Sequence, residues 1–92
     1  MDDPLRPDEA RKLIRDILTN GVVSLSDHAC GEMSKDDLTM VDCTNALRCG
    51  VVEAPELIKG SWRYRVRTNR IVVVVAFRSE THLRIVTAWG VK

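Results

Sequence analysis

The spacing of hydrophobic residues changes near Gly50. Before this glycine they recur every three or four positions, which is typical of helices, and after it they alternate with polar residues or run together, which is typical of strands. We therefore predict one domain over residues 1–92. It would comprise a loose tail at 1–6, a helical part at 7–50 and an antiparallel sheet at 51–92.

The first predicted helix begins at Pro7 and Asp8 and ends at Asn20-Gly21. Proline suits the first turn, Asp8 complements the positive end of the helix dipole, and glycine favours a helix end. Its apolar face would consist of Leu13, Ile14, Ile17 and Leu18.

Two further helical segments precede Gly50. Ser26 or Asp27 can cap a short one that ends near Met33. Ser34, with Asp37 three residues later, is a candidate cap for the next, which would end near Cys49-Gly50. Before these segments, the residues Val22–Leu25 would form a short strand or an extended link.

Four segments of the second half have β character. Val51–Ile58 is interrupted by Pro55, as expected of an edge strand or a partly irregular segment. The other three, rich in β-branched and aromatic residues, are Trp62–Thr68, Ile71–Arg78 and His82–Trp89.

Loop lengths set the predicted register of these three strands. A two-residue loop at Asn69-Arg70 and a three-residue loop at Ser79–Thr81 give one continuous apolar face. That face would contain Trp62, Tyr64, Val66, Ile71, Val73, Val75, Phe77, Leu83, Ile85 and Trp89. The opposite face would carry three rows: Arg63, Ala76 and Arg84; Arg65, Val74 and Val86; Arg67, Val72 and Ala88. With two or three N-terminal helices on the apolar face, the fold class is α+β.

Arginines are concentrated in this second half although the formal net charge is only +1. Between residues 63 and 84 there are six arginines and a single acidic residue, Glu80. An arginine-rich sheet face suits a polyanion, and RNA is the simplest candidate. We predict that Arg63, Arg67, Arg84 and His82 bind RNA. The alternatives are an exposed face that merely confers solubility, or one paired with helix acids.

Cleavage of RNA by attack of its 2′-hydroxyl requires groups that accept and donate protons, and cations beside the phosphate. His28 is the first candidate for proton transfer and His82 the second. The alternatives are a structural role for His28 at a helix start and a solvated turn position for His82.

Cysteines and apolar runs bear on the setting of the protein. Cys30, Cys43 and Cys49 form no C-x-x-C pair, and no signal peptide precedes them, so we expect reduced thiols in the cytoplasm. A zinc site with His28 is the weaker alternative, and we expect neither metal nor cofactor. No apolar run approaches the ~20 residues of a membrane span.

A series of short motifs carries a resemblance to known proteins. In order they read S-D-H-A, N-A-L-R-C-G-V-V-E, W-R-Y-R-V-R, I-V-V-V-V-A-F-R and L-R-I-V-T-A-W. Over residues 9–90 the chain resembles a family of small bacterial domains of unknown function encoded beside YgiT/MqsA-type zinc-finger antitoxins. More distantly, it is similar to the MqsR toxins of the RelE-like ribonuclease class.

The resemblance implies a metal-independent endoribonuclease of a toxin–antitoxin pair, inhibited by a zinc-finger or helix-turn-helix antitoxin. It implies that Tyr64 and Arg78 are active-site residues, and Arg65 lies near a lysine of the MqsR pattern. The chain departs from MqsR in its additional strand His82–Trp89 and in lacking a clear match to an upstream lysine and glutamine. The alternatives are a non-catalytic module that binds RNA or protein through its arginines, and a homodimer that covers the valine floor between them.

Overall fold

The computed structural model describes residues 4–91, so the first three residues of the predicted loose tail lie outside the described part. Its elements in chain order are α1 (Pro7–Asn20), β1 (Val22–Leu25), α2 (Asp27–Lys35), α3 (Met40–Cys49), β2 (Val51–Val52), β3 (Glu56–Ile58), β4 (Ser61–Arg67), β5 (Ile71–Ser79) and β6 (His82–Gly90). The predicted α+β class is confirmed, with N-terminal helices packed on a mostly antiparallel sheet.

Within the described residues the sheet has six strands, of which five follow the order β1-β6-β5-β4-β2, while β3 pairs with the other half of the same β4 edge. Pro55 separates β2 from β3, as its inability to donate to a strand ladder requires. The sequence predicts β1 only as a short strand or link, yet it pairs in parallel with β6. The helical part of the chain therefore contributes an edge strand to the sheet.

Helices α1 and α3 cover one face of the sheet and bury its apolar residues. The buried cluster contains Ala10, Ile14, Ile17, Ala29, Met33, Cys43, Ala46, Leu47, Val52, Tyr64, Val66, Ile71, Val73, Val75, Leu83, Ile85 and Ala88. The cluster includes the predicted side of α1, and Leu13 and Leu18 pack against it. Hydrophobic burial on this single face is what orients the sheet, and its other face is free of α1 and α3.

The start of α3 corrects one capping prediction. Thr39, not Ser34, is the N-cap: its Oγ1 accepts from the Asp42 N–H, and its own N–H donates to Asp42 Oδ2 over 2.8 Å. These hydrogen bonds from Thr39 hold the pKa of Asp42 below its ordinary value. Ser34 instead lies inside α2, because that helix continues to Lys35.

The predicted register is correct for the pairing of β4 with β5 and for the first part of the pairing of β5 with β6. Tyr64 pairs with Val75 and Val66 with Val73 across β4 and β5. Between β5 and β6, Phe77 pairs with Leu83 and Val75 with Ile85, again as predicted.

Beyond Ile85 the register shifts by one residue. Val74 pairs with Thr87 and Val72 with Trp89, so Val86 is an extra, bulged residue. The predicted positions of Trp89 on the helix-covered face and of Ala88 in an arginine row are therefore wrong, whereas Val86 stays on the arginine side but no longer lies opposite Val74. Ala88 lies in the core instead, and Trp89 joins the arginine side.

The bulge coincides with the junction between β1 and α2. The Ser26 N–H donates to Ile85 O, and its hydroxyl donates to Val86 O over 2.7 Å and accepts from the Ala29 N–H. At the other end of α2, Asp36 Oδ2 accepts from the Gly90 N–H over 2.8 Å. Helix α2 thus runs alongside the outer half of β6 and satisfies backbone groups that the short β1 does not reach.

The second hairpin loop is also shorter than predicted. Ser79 pairs with His82, so the loop is the two-residue turn Glu80-Thr81, and Arg78 occupies an irregular position between paired residues. This irregularity keeps Phe77 opposite Leu83, which is the packing that the predicted three-residue loop would give. Burial of those two side chains decides the register, and the strand adjusts at Arg78.

Leu5, within the predicted loose tail, is attached to the rest of the domain. Leu5 packs against the core, and its carbonyl oxygen accepts a hydrogen bond of 2.8 Å from the Tyr64 hydroxyl. Within residues 4–91, no helix is long and apolar enough to cross a membrane.

Candidate functional site

The sheet face opposite α1 and α3, here called the arginine face, presents Arg63, Arg65 and Arg67 on β4 and Arg84 on β6. Between the two strands lies a buried floor of Val72, Val74 and Ala76. Arginine side chains cover such a floor with their methylene groups while the guanidinium groups reach solvent. The arrangement is a cationic surface with an apolar base.

One groove on this face, here called the arginine groove, has a volume of about 780 Å³. Its lining consists of Ser26, His28, Ser61, Arg63, Ala76, Phe77, Arg78, Arg84 and Val86. Four predicted site residues therefore meet here: His28, Arg63, Arg78 and Arg84. No acidic residue of the described chain lines the groove, so its charge is strongly positive.

Secondary structure explains how these four side chains meet. Arg63 and Arg84 lie in one row across the sheet, on either side of Ala76, as the sequence predicted. The Val86 bulge and the Ser26 cap start α2 beside this row, and His28 is the second residue of that helix. Arg78 reaches the groove from the irregular end of β5. The histidine and the three arginines therefore come from four different elements, α2, β4, β5 and β6.

Arg63 has an unusual environment. Its Nε atom is buried, and it is the one such side-chain N or O atom in the described chain without a hydrogen-bond partner. A buried unpaired donor is costly, and such atoms call for an explanation. Arg63 also lines a second cavity, so it forms the wall between two depressions.

The arginines of this face are largely free of acidic partners. Arg67 lies 3.8 Å from Glu53, and both side chains are substantially exposed. Among residues 4–91, the other ion pairs involve Arg6 and Lys35 only, at helix ends. Pairing of this face with helix acids, one of the alternatives considered from the sequence, does not occur in the described chain.

The second cavity, here called the tryptophan cavity, has a volume of about 170 Å³. It is lined by Glu56, Ile58, Arg63, Arg65, Val74, Thr87 and Trp89. The sequence does not predict Trp89 on this face, because an unbroken β6 would place that side chain on the helix-covered side. The signal was Thr87, a polar residue that the unbroken register placed opposite Val73 in the core.

Tyr64 lies on the other side of the sheet, where it is 1% exposed. Its ring meets Phe77 edge to face at a centroid distance of 5.5 Å, and its hydroxyl donates to Leu5 O. Burial raises the pKa of Tyr64, the Leu5 hydrogen bond lowers it, and the charge of Glu9 raises it further. Tyr64 borders a separate cavity of about 310 Å³ that also includes Arg78, but it does not line the arginine groove. Its active-site role stays a prediction of the resemblance.

His82 is set apart from His28. Its Nε2 shares a hydrogen bond of 2.7 Å with Ser24 Oγ on the neighbouring strand β1. It does not line the arginine groove, whereas His28 is exposed there. Of the two histidines, His28 is thus the one positioned beside the arginines.

The three cysteines are spread over the helices and are not assembled into a site. Cys30 and Cys49 are exposed and Cys43 is buried, all as free thiols. Burial, with a smaller contribution from the Asp42 charge, raises the pKa of Cys43. No group of three or more metal-binding side chains occurs among residues 4–91.

Comparisons with protein-family models, with curated proteins and with solved structures gave no match to this chain.

Proposed function

We propose that the arginine face binds single-stranded RNA through its phosphates, with the arginine groove as the central site. The observation that carries the proposal is that Arg63, Arg78, Arg84 and His28 line one groove without an acidic residue of the described chain. Guanidinium groups bind phosphate oxygens in bidentate fashion, and binding is strengthened by release of counterions from the RNA.

The charge distribution supports a polyanion over a neutral ligand. Net charge is +1 over the chain, yet three arginines converge on one depression. A rotation of the Arg63 side chain that brings its buried Nε to a bound phosphate would give this atom the hydrogen-bond acceptor that it lacks among the described residues. Pairing this donor with a phosphate oxygen would offset the free-energy cost of leaving it unpaired, and so would strengthen binding.

We further propose that the protein cleaves RNA without metal, in the manner of toxin endoribonucleases. The position of His28 in the same groove favours this activity. Imidazole readily takes up and releases a proton near neutral pH. His28 accepts the proton of the ribose 2′-hydroxyl, whose oxygen attacks the adjacent phosphorus.

The reaction then balances within the RNA and one side chain. The P–O5′ bond breaks, the 2′,3′-cyclic phosphate forms, and the leaving 5′-oxygen takes the proton back from His28. Arg63, Arg78 and Arg84 stabilise the negative charge that develops on the phosphate oxygens. In a cell such an activity would require an inhibitor, which fits an antitoxin partner that covers the arginine face.

Binding is tested with a fluorescein-labelled U8 RNA by anisotropy at several salt concentrations. For single-stranded RNA, a plot of the logarithm of the association constant against the logarithm of salt concentration has a slope of about −0.7 per phosphate contact. Arg63→Gln and Arg84→Gln should each weaken binding and reduce this slope by about that amount. Arg48→Gln is the matched control, because Arg48 is exposed on α3, away from the arginine face. Equal loss in all three variants, or no binding by the native protein, would overturn the proposal.

Cleavage is tested separately with longer RNA in the presence of EDTA. We expect products with a 2′,3′-cyclic phosphate, a loss of cleavage of at least about 100-fold in His28→Ala, and a far smaller change in U8 affinity in that variant, because the three arginines of the groove remain. Induced expression should arrest bacterial growth, and His28→Ala or Arg78→Ala should relieve the arrest. Binding that is salt-dependent but leaves the RNA intact would identify a non-catalytic binding module instead.

A further inference from the structure

We infer that the tryptophan cavity is a base subsite that selects guanine in the nucleotide next to the phosphate held in the arginine groove. The inference rests on the proposed RNA binding and deepens it. It is carried by three features of the cavity: its shared wall with the arginine groove, its aromatic side chain and its carboxylate.

The shared wall is Arg63, which lines both the arginine groove and the tryptophan cavity. A phosphate bound on one side of this arginine leaves the attached nucleoside within reach of the other side. Arg65 continues the cationic surface along the cavity. The phosphate site and the cavity thus form one continuous path for a strand.

The size and the apolar lining of the cavity fit a base. Its volume of about 170 Å³ is below the range of about 300–1,000 Å³ found for clefts that hold drug-sized molecules, so it suits a single planar ring system. Trp89, Ile58 and Val74 provide apolar surface. Proteins that read single-stranded RNA stack unpaired bases on aromatic side chains and arginine planes in this way.

The carboxylate supplies selectivity. Glu56 lies opposite Arg63 in the β3–β4 pairing and lines the cavity, yet it makes no salt bridge in the described chain. An ionised carboxylate only accepts hydrogen bonds, and it can accept two at once. Guanine is the base with two adjacent donors, N1–H and the N2 amino group, on its Watson–Crick edge. Uracil presents a single donor there, N3–H, between two carbonyl acceptors that a carboxylate repels, so it cannot make the paired hydrogen bonds of guanine.

The test uses U8 RNA and the same octamer with a single central guanine, adenine or cytosine. In a Trp62→Phe background Trp89 is the sole tryptophan, since the chain has two. Guanine-containing RNA should quench its fluorescence and bind about tenfold more tightly than U8. Glu56→Gln should abolish the preference for guanine while U8 affinity is retained or slightly increased, because a negative charge is removed from a cationic surface.

The outcomes separate this inference from the proposal beneath it. If U8 does not bind at all, both fail. If U8 binds with the expected salt dependence but guanine-containing RNA leaves the fluorescence of Trp89 unchanged, only the base subsite is wrong. The same conclusion follows if the Glu56→Gln variant still prefers guanine. The fluorescence measurement uses intact Trp89, so it does not depend on whether a Trp89→Ala variant folds.

Discussion

The hydroxyl of Ser26 donates a 2.7 Å hydrogen bond to the carbonyl oxygen of Val86, the bulged residue of β6. The oxygen of that same hydroxyl accepts a hydrogen bond from the Ala29 N–H and so caps α2. One serine therefore fixes both the start of a helix and the irregularity of the neighbouring strand. This link is what brings His28 to the arginine groove.

Substitution of Ser26 by alanine should lower the free energy of unfolding by about 2 kcal/mol. The cap alone is worth about 1 kcal/mol, and the Val86 carbonyl would lose its partner in a half-buried place. Urea denaturation measures the change. Ser34→Ala is the control, since Ser34 is exposed in the same helix, and it should shift stability by less than ~0.5 kcal/mol. Equal effects in the two variants would contradict the role assigned to Ser26.

Tyr64 is the single tyrosine of the chain, so tyrosinate absorbance reports on it alone. Because burial raises the pKa of Tyr64, the folded protein should ionise at higher pH than the unfolded chain. Below the ordinary tyrosine pKa of about 10 both states are neutral; above it the unfolded state ionises first, so stability falls as pH rises. An absorbance titration of folded and urea-unfolded protein tests this, and coincident curves would refute it.

Tyr64→Phe isolates the contact with the N-terminal segment. The variant loses the hydrogen bond to Leu5 O and should be about 1 kcal/mol less stable at neutral pH. The alkaline loss of stability that Tyr64 causes should disappear. Urea denaturation at neutral pH and again above the ordinary tyrosine pKa measures both effects. A Tyr64→Phe variant that keeps the native alkaline slope would show that other groups cause it.

Two glycines should respond in opposite directions to alanine. A Cβ at Gly50 would lie 2.7 Å from Ala46 O and 2.8 Å from Val66 Cγ1, where α3 enters the sheet. Gly50→Ala should therefore destabilise by about 1–3 kcal/mol. A Cβ at Gly31, inside α2, meets nothing within 4 Å, and Gly31→Ala should stabilise by about 0.5–1 kcal/mol. Thermal unfolding of both variants tests the pair, and a stabilised Gly50→Ala would mean that α3 lies farther from β4.

The thiols should divide into two reactivity classes. Cys30 and Cys49 are exposed, whereas Cys43 is buried with a raised pKa. An aromatic disulfide reagent at mildly alkaline pH should label two thiols quickly and the third only as the protein unfolds, because the thiolate is the reacting species. Full denaturation provides the control, in which all three thiols react. Rapid labelling of all three in native protein would contradict the packing of α3.

The sequence predicts those parts of the fold that depend on local end signals and on periodic burial. The bounds of α1 and the end of α3 follow from proline and glycine, and the pairing of Tyr64 with Val75 follows from apolar alternation and loop length. Even the hairpin at Asn69-Arg70, which lacks glycine, was located correctly. Its stability depends on Thr68, whose hydroxyl accepts from the N–H groups of Arg70 and Ile71.

The errors arise where a single side chain overrides the alternation of a strand. The local pattern of β6 does not indicate that Ser26, 60 residues earlier, donates a hydrogen bond to the Val86 carbonyl oxygen. Without that bond the strand is expected to continue straight, which assigns Trp89 to the core. Likewise, the parallel pairing of β1 with β6 depends on tertiary packing, because Val22 and Val23 favour a strand without indicating which strand it pairs with.

The bulge divides β6 into two halves, and the sheet face that the side chains of each half occupy is set independently. Leu83 and Ile85 are fixed by the core, while Thr87 and Trp89 depend on one inserted residue. Deletion of the residue at position 86 would turn the outer half of β6 over by half a turn. Trp89 would then leave the arginine face, and Ala88 would move onto it. Insertions and deletions at this point, rather than substitutions in the cavity itself, are thus the shortest route by which such a chain could acquire or discard an aromatic recognition surface.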